Sequence, residues 1–153
     1  MITDFRQLRV YQAARRLNEK VWGLRSAIEP QSKGTWWQID RSAGSVMDNI
    51  AEGFGRATPA DFKNFLRFSR GSANEVQAQL DRSLDRRLIT QDQHRRVDND
   101  CKSVLLKLEG LTKNLEQRQQ AASLKPSSGL REPIAPYGET PEVQELLPPW
   151  CDL

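Results

Sequence analysis

The chain has 153 residues, 28% of them charged and 37% hydrophobic, a size and composition suited to one domain that buries its own core. No apolar run is long enough to cross a bilayer, and the opening MITDFRQLRV lacks the apolar block of a signal peptide, so a helical membrane span is excluded and a cytoplasmic location is expected. The pI near 9.1 is unevenly produced: residues 1–122 carry 21 Lys/Arg against 15 Asp/Glu, and residues 123–153 carry two against five.

The abundance of Leu, Arg, Gln, Glu and Ala favours helix over sheet. Asp4, with Gln7 three residues on, caps a first helix whose apolar positions are Phe5, Leu8, Tyr11, Ala14, Leu17, Val21, Leu24 and Ile28, and Pro30 ends it. Thr35 with Gln38 reads as a second capping box, opening a helix with the stripe Ile39, Ala43, Val46 and Ile50 and a stop at Gly53. Thr58-Pro59-Ala60-Asp61 joins an N-cap hydroxyl, a proline at the first helical position and a first-turn carboxylate. The third helix then runs to about Leu88, with Phe62, Phe65, Leu66, Ala73, Val76, Leu80, Leu84 and Leu88 on its apolar face. Thr90 with Gln93 opens the fourth, which carries Val97, Cys101, Val104, Leu105, Leu108, Leu111 and Leu115 and fades near Gln120. Four such stripes joined by short connections predict an all-α, antiparallel up-and-down four-helix bundle over residues 1–122.

From Ser123 the pattern changes: six of the eight prolines fall in residues 123–153 and the apolar period is lost, which predicts an extended or disordered proline-rich tail. Its end, Leu146-Leu-Pro-Pro-Trp-Cys-Asp-Leu153, is either a loosely packed end or a docking peptide for a neighbouring chain or partner. Cys101 and Cys151 have no metal-ligand spacing, and Cys101 sits in the fourth apolar stripe as a buried thiol.

Little in the sequence suits catalysis. His94, the single histidine, neighbours Arg95 and Arg96 and is expected in solvent. No Glu-x-x-His pair is available for a bundle metal site, and no glycine loop precedes Lys-Ser/Thr for phosphate. Glu52 and Glu75 could meet as an acid/base pair, but no nucleophile or metal ligand accompanies them; a non-enzymatic protein with no cofactor or metal is expected.

A line of short polar residues is more distinctive. Gln38, Ser42, Ser45, Asn49 and Glu52 share one face of the second helix, and Ser72, Glu75, Gln79 and Arg82 form a matching line on the third, where Gly71 permits close approach. Together they predict a buried or half-buried polar seam between helices or subunits, with Arg41 as a donor to its carboxylates. Trp36 and Trp37 are about 100° apart around their helix, so at least one lies outside the core and favours self-association. Basic residues recur in stripes: Arg9, Arg16 and Lys20 on the first helix, Lys63, Arg67 and Arg70 on the third, then Arg82 with Arg86, besides Arg56 after the second helix. These are solvated faces or, multiplied in an oligomer, a salt-dependent grip on RNA or DNA phosphates.

The sequence Asn49-Ile-Ala-Glu-Gly53 preceded by Arg41-Ser-Ala-Gly-Ser45, followed by Phe65-Leu66, Gly71-Ser72 and Glu75, with Phe5-Arg-Gln-Leu8-Arg-Val-Tyr11 early in the chain, carries a family resemblance. It resembles the four-helix-bundle proteins first noticed as products of intervening sequences in bacterial large-subunit ribosomal RNA genes, and through them the accessory variability proteins of diversity-generating retroelements. The resemblance covers about residues 4–117 and places the family signature on Arg41, Ser45, Asn49, Glu52, Gly53, Ser72 and Glu75, with Gln79 completing the seam. It departs at Ser69-Arg70, where the signature has alanine. It implies a non-enzymatic homopentamer, and in the retroelement branch a basic surface for RNA and a reverse transcriptase as partner. A structural homo-oligomer with no physiological nucleic-acid ligand is the alternative.

Overall fold

The computed structural model describes residues 2–56 and 58–123. A 3-10 turn at Phe5–Gln7 leads into α1 (Arg9–Trp22), a one-turn α2 (Arg25–Ile28), α3 (Lys33–Phe54), α4 (Pro59–Asp85) and α5 (Gln91–Ser123). The four long helices form an antiparallel up-and-down bundle. α3 and α5 each pack on both α1 and α4, so the helices stand at the corners of a square. Antiparallel pairing shows in the side chains that meet: Gln38 with Gln79, Val46 with Ser69, and Gly53 with Phe62 along α3 and α4; Ala73 with Cys101, Gln77 with Asp98, and Asp81 with His94 along α4 and α5.

Local chemistry sets the helix ends, and several differ from the sequence expectation. Asp4 caps only the 3-10 turn, by accepting from Arg6 N, and the first helix is broken near Gly23 instead of running unbroken to Ile28. The second long helix starts two residues before Thr35. Ser32 is its cap, with its Oγ accepting from Thr35 N, and Thr35 itself is buried and takes the Ser32 hydroxyl hydrogen bond at 2.9 Å. Gly53 is not its stop: the helix continues through Phe54 to a cap at Gly55. Thr58 caps α4 as expected, accepting from Asp61 N, with Pro59 in the first turn. α4 ends at Asp85, three residues short of Leu88, because Arg87 takes a left-handed φ of 58° and turns the chain toward α5. At the start of α5, Thr90 and Gln93 exchange hydrogen bonds with each other's backbone N–H, closing the capping box.

The core is the set of apolar stripes turned inward, including Leu17, Val21, Ile39, Val46, Ile50, Phe62, Leu66, Val76, Leu80, Val104, Leu108 and Leu115. Cys101 is fully buried among them, and burial, then the charges of Asp98 and Asp100, push its thiol up to about 12. No helix is long and apolar enough to cross a membrane among the described residues. The predicted tail and its Trp150 and Cys151 lie outside the described residues.

Candidate interaction surface

The polar line of the sequence divides into two populations. The first is an inter-helix seam: Gln79, buried on α4, donates from Nε2 to Gln38 Oε1 across to α3 at 2.8 Å, and Arg82 Nη1 donates to Gln79 Oε1 at 3.4 Å. Ser42 and Ser83 lie buried beside it, returning their hydroxyls to Gln38 O and Gln79 O one turn back. Deeper along the same groove Ser69, 0% exposed, donates to Val46 O at 2.9 Å, the direct hydrogen bond that ties the middle of α4 to α3. Ser69 stands at the departure from the family signature, and the sequence reading missed it; the signal was its position between the apolar residues Leu66 and Ala73 on one face of α4.

The second population faces outward. Glu52 is exposed and ion-paired with Arg56, one turn on. Glu75 is also exposed, and among the described residues no ion pair includes it. The two carboxylates are therefore not buried members of the seam, and Arg41 is not their donor: its guanidinium lies over the Trp37 ring, 5.2 Å from the centroid. Ser45, Asn49 and Ser72 are half-buried at the rim, where Asn49 Nδ2 donates to Ser45 O at 2.7 Å. Gly71 approaches nothing, since a Cβ there would meet no atom within 4 Å. Close approach belongs to Gly53, where an added Cβ would fall 2.6 Å from Phe65 Cβ and 2.8 Å from Phe62 Cδ2.

Aromatic groups on α3 and α4 reach solvent beside this rim. Trp36 is buried while its neighbour Trp37 is 60% exposed, and Phe68 on α4 is equally exposed, edge-on to Phe65, whose face carries Arg56. The outer sides of α3 and α4 thus carry two aromatic patches, Trp37 under the Arg41 guanidinium and Phe68 beside Phe65 and Arg56, a composition typical of contact surfaces.

The basic stripes differ in their surroundings. On α4, Arg67 and Arg70 line a cleft shared with Glu109, Lys113 and Glu116 of α5, and Lys63 shares a groove with Glu116; Glu109 is ion-paired with Lys113, and Lys63, Arg67 and Arg70 have no ion-pair partner among the described residues. Lys113, then Arg70, hold the Glu109 carboxyl below its usual range. Arg86 donates to Thr35 Oγ1 at 3.4 Å and, like Arg82, is committed to the α3–α4 groove. On α1, Arg9, Arg16 and Lys20 are exposed and likewise have no ion-pair partner among the described residues, and the cleft beside Arg9 is lined by no carboxylate. Lys107 of α5 joins them, lining one cleft with Arg9, a neighbour visible only once α1 and α5 are packed together.

His94 departs from expectation. Its side chain is only 14% exposed, with Nε2 2.7 Å from Asp81 Oδ1, so it bridges α4 and α5 instead of standing in solvent. Nearby, burial pushes Asp98 up, but hydrogen bonds from Lys102 and Gln77 with the Lys102 and His94 charges override it and hold the carboxyl below its usual range. No group of three or more His, Cys, Asp or Glu side chains suited to a metal ion occurs among the described residues.

Residues 6–110 match the 23S rRNA-intervening sequence protein family. Among solved structures, a protein of unknown function from the S23 ribosomal protein family of Bacteroides thetaiotaomicron is similar, with a TM-score of 0.64 and 25% identity over 68% of this chain and 98% of that one. None of the curated proteins matches.

Proposed function

This chain belongs to the 23S rRNA-intervening sequence protein family, and from that premise we propose that it acts without catalysis, as a cytoplasmic homo-oligomeric accessory that holds RNA or DNA by its phosphates. The observation that carries the reading is the α1 edge, where Arg9, Arg16 and Lys20, with Lys107 across the cleft, present positive charge that no carboxylate among the described residues pairs with. Charge left uncompensated on a rigid helix is available to phosphates, and symmetric repetition around a ring multiplies the potential. A pentamer is the assembly we favour, and a reverse transcriptase of a diversity-generating retroelement is the protein partner, supported by the resemblance of the signature between Arg41 and Glu75 to accessory variability proteins.

Binding of a labelled single-stranded RNA, measured against salt concentration, tests the reading. Binding that weakens log-linearly with salt is expected, and replacing Arg9, Arg16 and Lys20 together by Gln should flatten the slope by about 0.7 for each phosphate no longer neutralised. Binding absent at low salt, or a slope unchanged by the triple substitution, would overturn it. The second reading is a structural homo-oligomer without a nucleic-acid ligand, favoured by the exposed Trp37 and Phe68 on the outer α3–α4 surface, which call for a protein partner and not a phosphate.

A further inference from the structure

Where α1 begins, a cleft of about 390 Å³ opens between the start of the chain and α5, walled by Ile2, Leu8, Val10 and Leu111 and flanked by the cations Arg9 and Lys107. Leu8 and Val10 are themselves core residues, so the cleft is an apolar recess continuous with the bundle interior. Its chemistry asks for an apolar group carried on an acidic chain. Residues 124–153 supply that combination: Leu146-Leu147-Pro148-Pro149-Trp150 is their apolar stretch, five acidic residues outnumber two basic ones, and Asp152 follows the tryptophan by two positions.

The tether also fits. The cleft lies at Lys107–Leu111 of α5, some 13 residues before Ser123 and so roughly 20 Å back along the helix. The roughly 27 residues from Ser123 to Trp150 have a contour length of about 90 Å, several times the distance to be bridged. We propose that the Leu146–Trp150 segment docks in this cleft of its own chain, with Trp150 seated against Leu8, Val10 and Leu111, and the acidic groups of the tail facing Arg9 and Lys107. This assignment does not rest on nucleic-acid binding.

Cysteine trapping in the full chain tests it. Gly110 lines the cleft, and a Cβ there meets nothing within 4 Å, so Gly110→Cys adds a thiol at the rim without crowding. Cys101 is buried, which leaves Cys151 as its partner. Under oxidised glutathione at high dilution, a disulfide within one chain should form at least ten-fold faster in Gly110→Cys than in Gly71→Cys, whose thiol stands on the outer α4 face. Adding Trp150→Ala, or separately Leu111→Asp, should bring the Gly110→Cys rate down to the Gly71→Cys rate. Equal rates at the two positions, disulfides formed only between chains, or a rate indifferent to Trp150→Ala would overturn the assignment.

Discussion

Gly53 of α3 packs directly against Phe65 of α4: a methyl group on Gly53 would fall 2.6 Å from Phe65 Cβ, inside van der Waals contact. Gly53 is in a helix, buried, with ordinary helical neighbours, so its glycine is required by the partner helix and not by its own backbone. Gly53→Ala should therefore destabilise the protein by about 2–3 kcal/mol, the cost of overpacking a filled interface. Gly44→Ala and Gly71→Ala, where nothing lies within 4 Å, should instead be neutral or stabilising by up to about 1 kcal/mol through helix propensity. Chemical denaturation of the three variants checks this, and equal effects at the three glycines would refute it.

The Gln38–Gln79 hydrogen bond predicts a coupled pair. Gln79→Ala leaves a void in the groove, removes the donor to Gln38 and frees Arg82 from its acceptor, and should cost about 1–2 kcal/mol. In a double-mutant cycle with Gln38→Ala the two losses should fall short of additivity by about 0.5–1 kcal/mol. Strict additivity would mean that the pair contributes nothing as a pair.

Asp98 makes stability depend on acid in a defined direction. Its folded-state carboxyl titrates below its unfolded value, so its contribution is present above the unfolded value, about 3.9, and is lost as the pH falls through the folded one. Asp98→Ala, which removes the contacts to Gln77 and Lys102, should cost about 1 kcal/mol at pH 7. The gap between the variant and the parent should narrow as the pH falls below about 4, measured by denaturation at each pH. A gap that holds constant down to about pH 2.5 would argue against the assignment.

Trp37 and Phe68 separate assembly from folding. Each is 60% exposed in the single chain, so the double substitution Trp37→Ser, Phe68→Ser removes little from the core and should alter chain stability by no more than about 0.5 kcal/mol each. If the outer α3–α4 surface holds copies together, the mass in solution should fall to that of one chain. An assembly of unchanged mass would place the subunit contact elsewhere.

Much of this architecture was legible in the sequence, because helix stripes and caps are local. Thr58-Pro59 and Thr90 with Gln93 act as read, and every apolar core position from Ile39 to Leu80 and from Val97 to Leu115 lies on a predicted stripe. Interhelical distance was not legible. Gly53 and Gly71 look alike in the sequence, one as a stop and the other as a contact, and only the packing of α4 on α3 reverses their parts. The same holds for Glu52 and Glu75, which share spacing with Gln38, Ser42 and Gln79 but fall on the solvent side of the groove. A few tens of degrees of rotation about the helix axis separate a buried amide from an exposed carboxylate, and residue spacing does not fix that rotation. Lys107 entered the basic surface only through α1–α5 packing, a contact between segments far apart in the sequence.

The square arrangement of the bundle has a kinetic consequence. Three of its four sides join helices consecutive along the chain, and each can form as a hairpin at small cost in loop closure. Only the α1–α5 side brings together segments separated by most of the chain, so ring closure is the slow, long-range event and its residues should show the smallest φ-values. Val10 and Leu108 would then report on the final docking, and Ser69 with Val46 on the early nucleus.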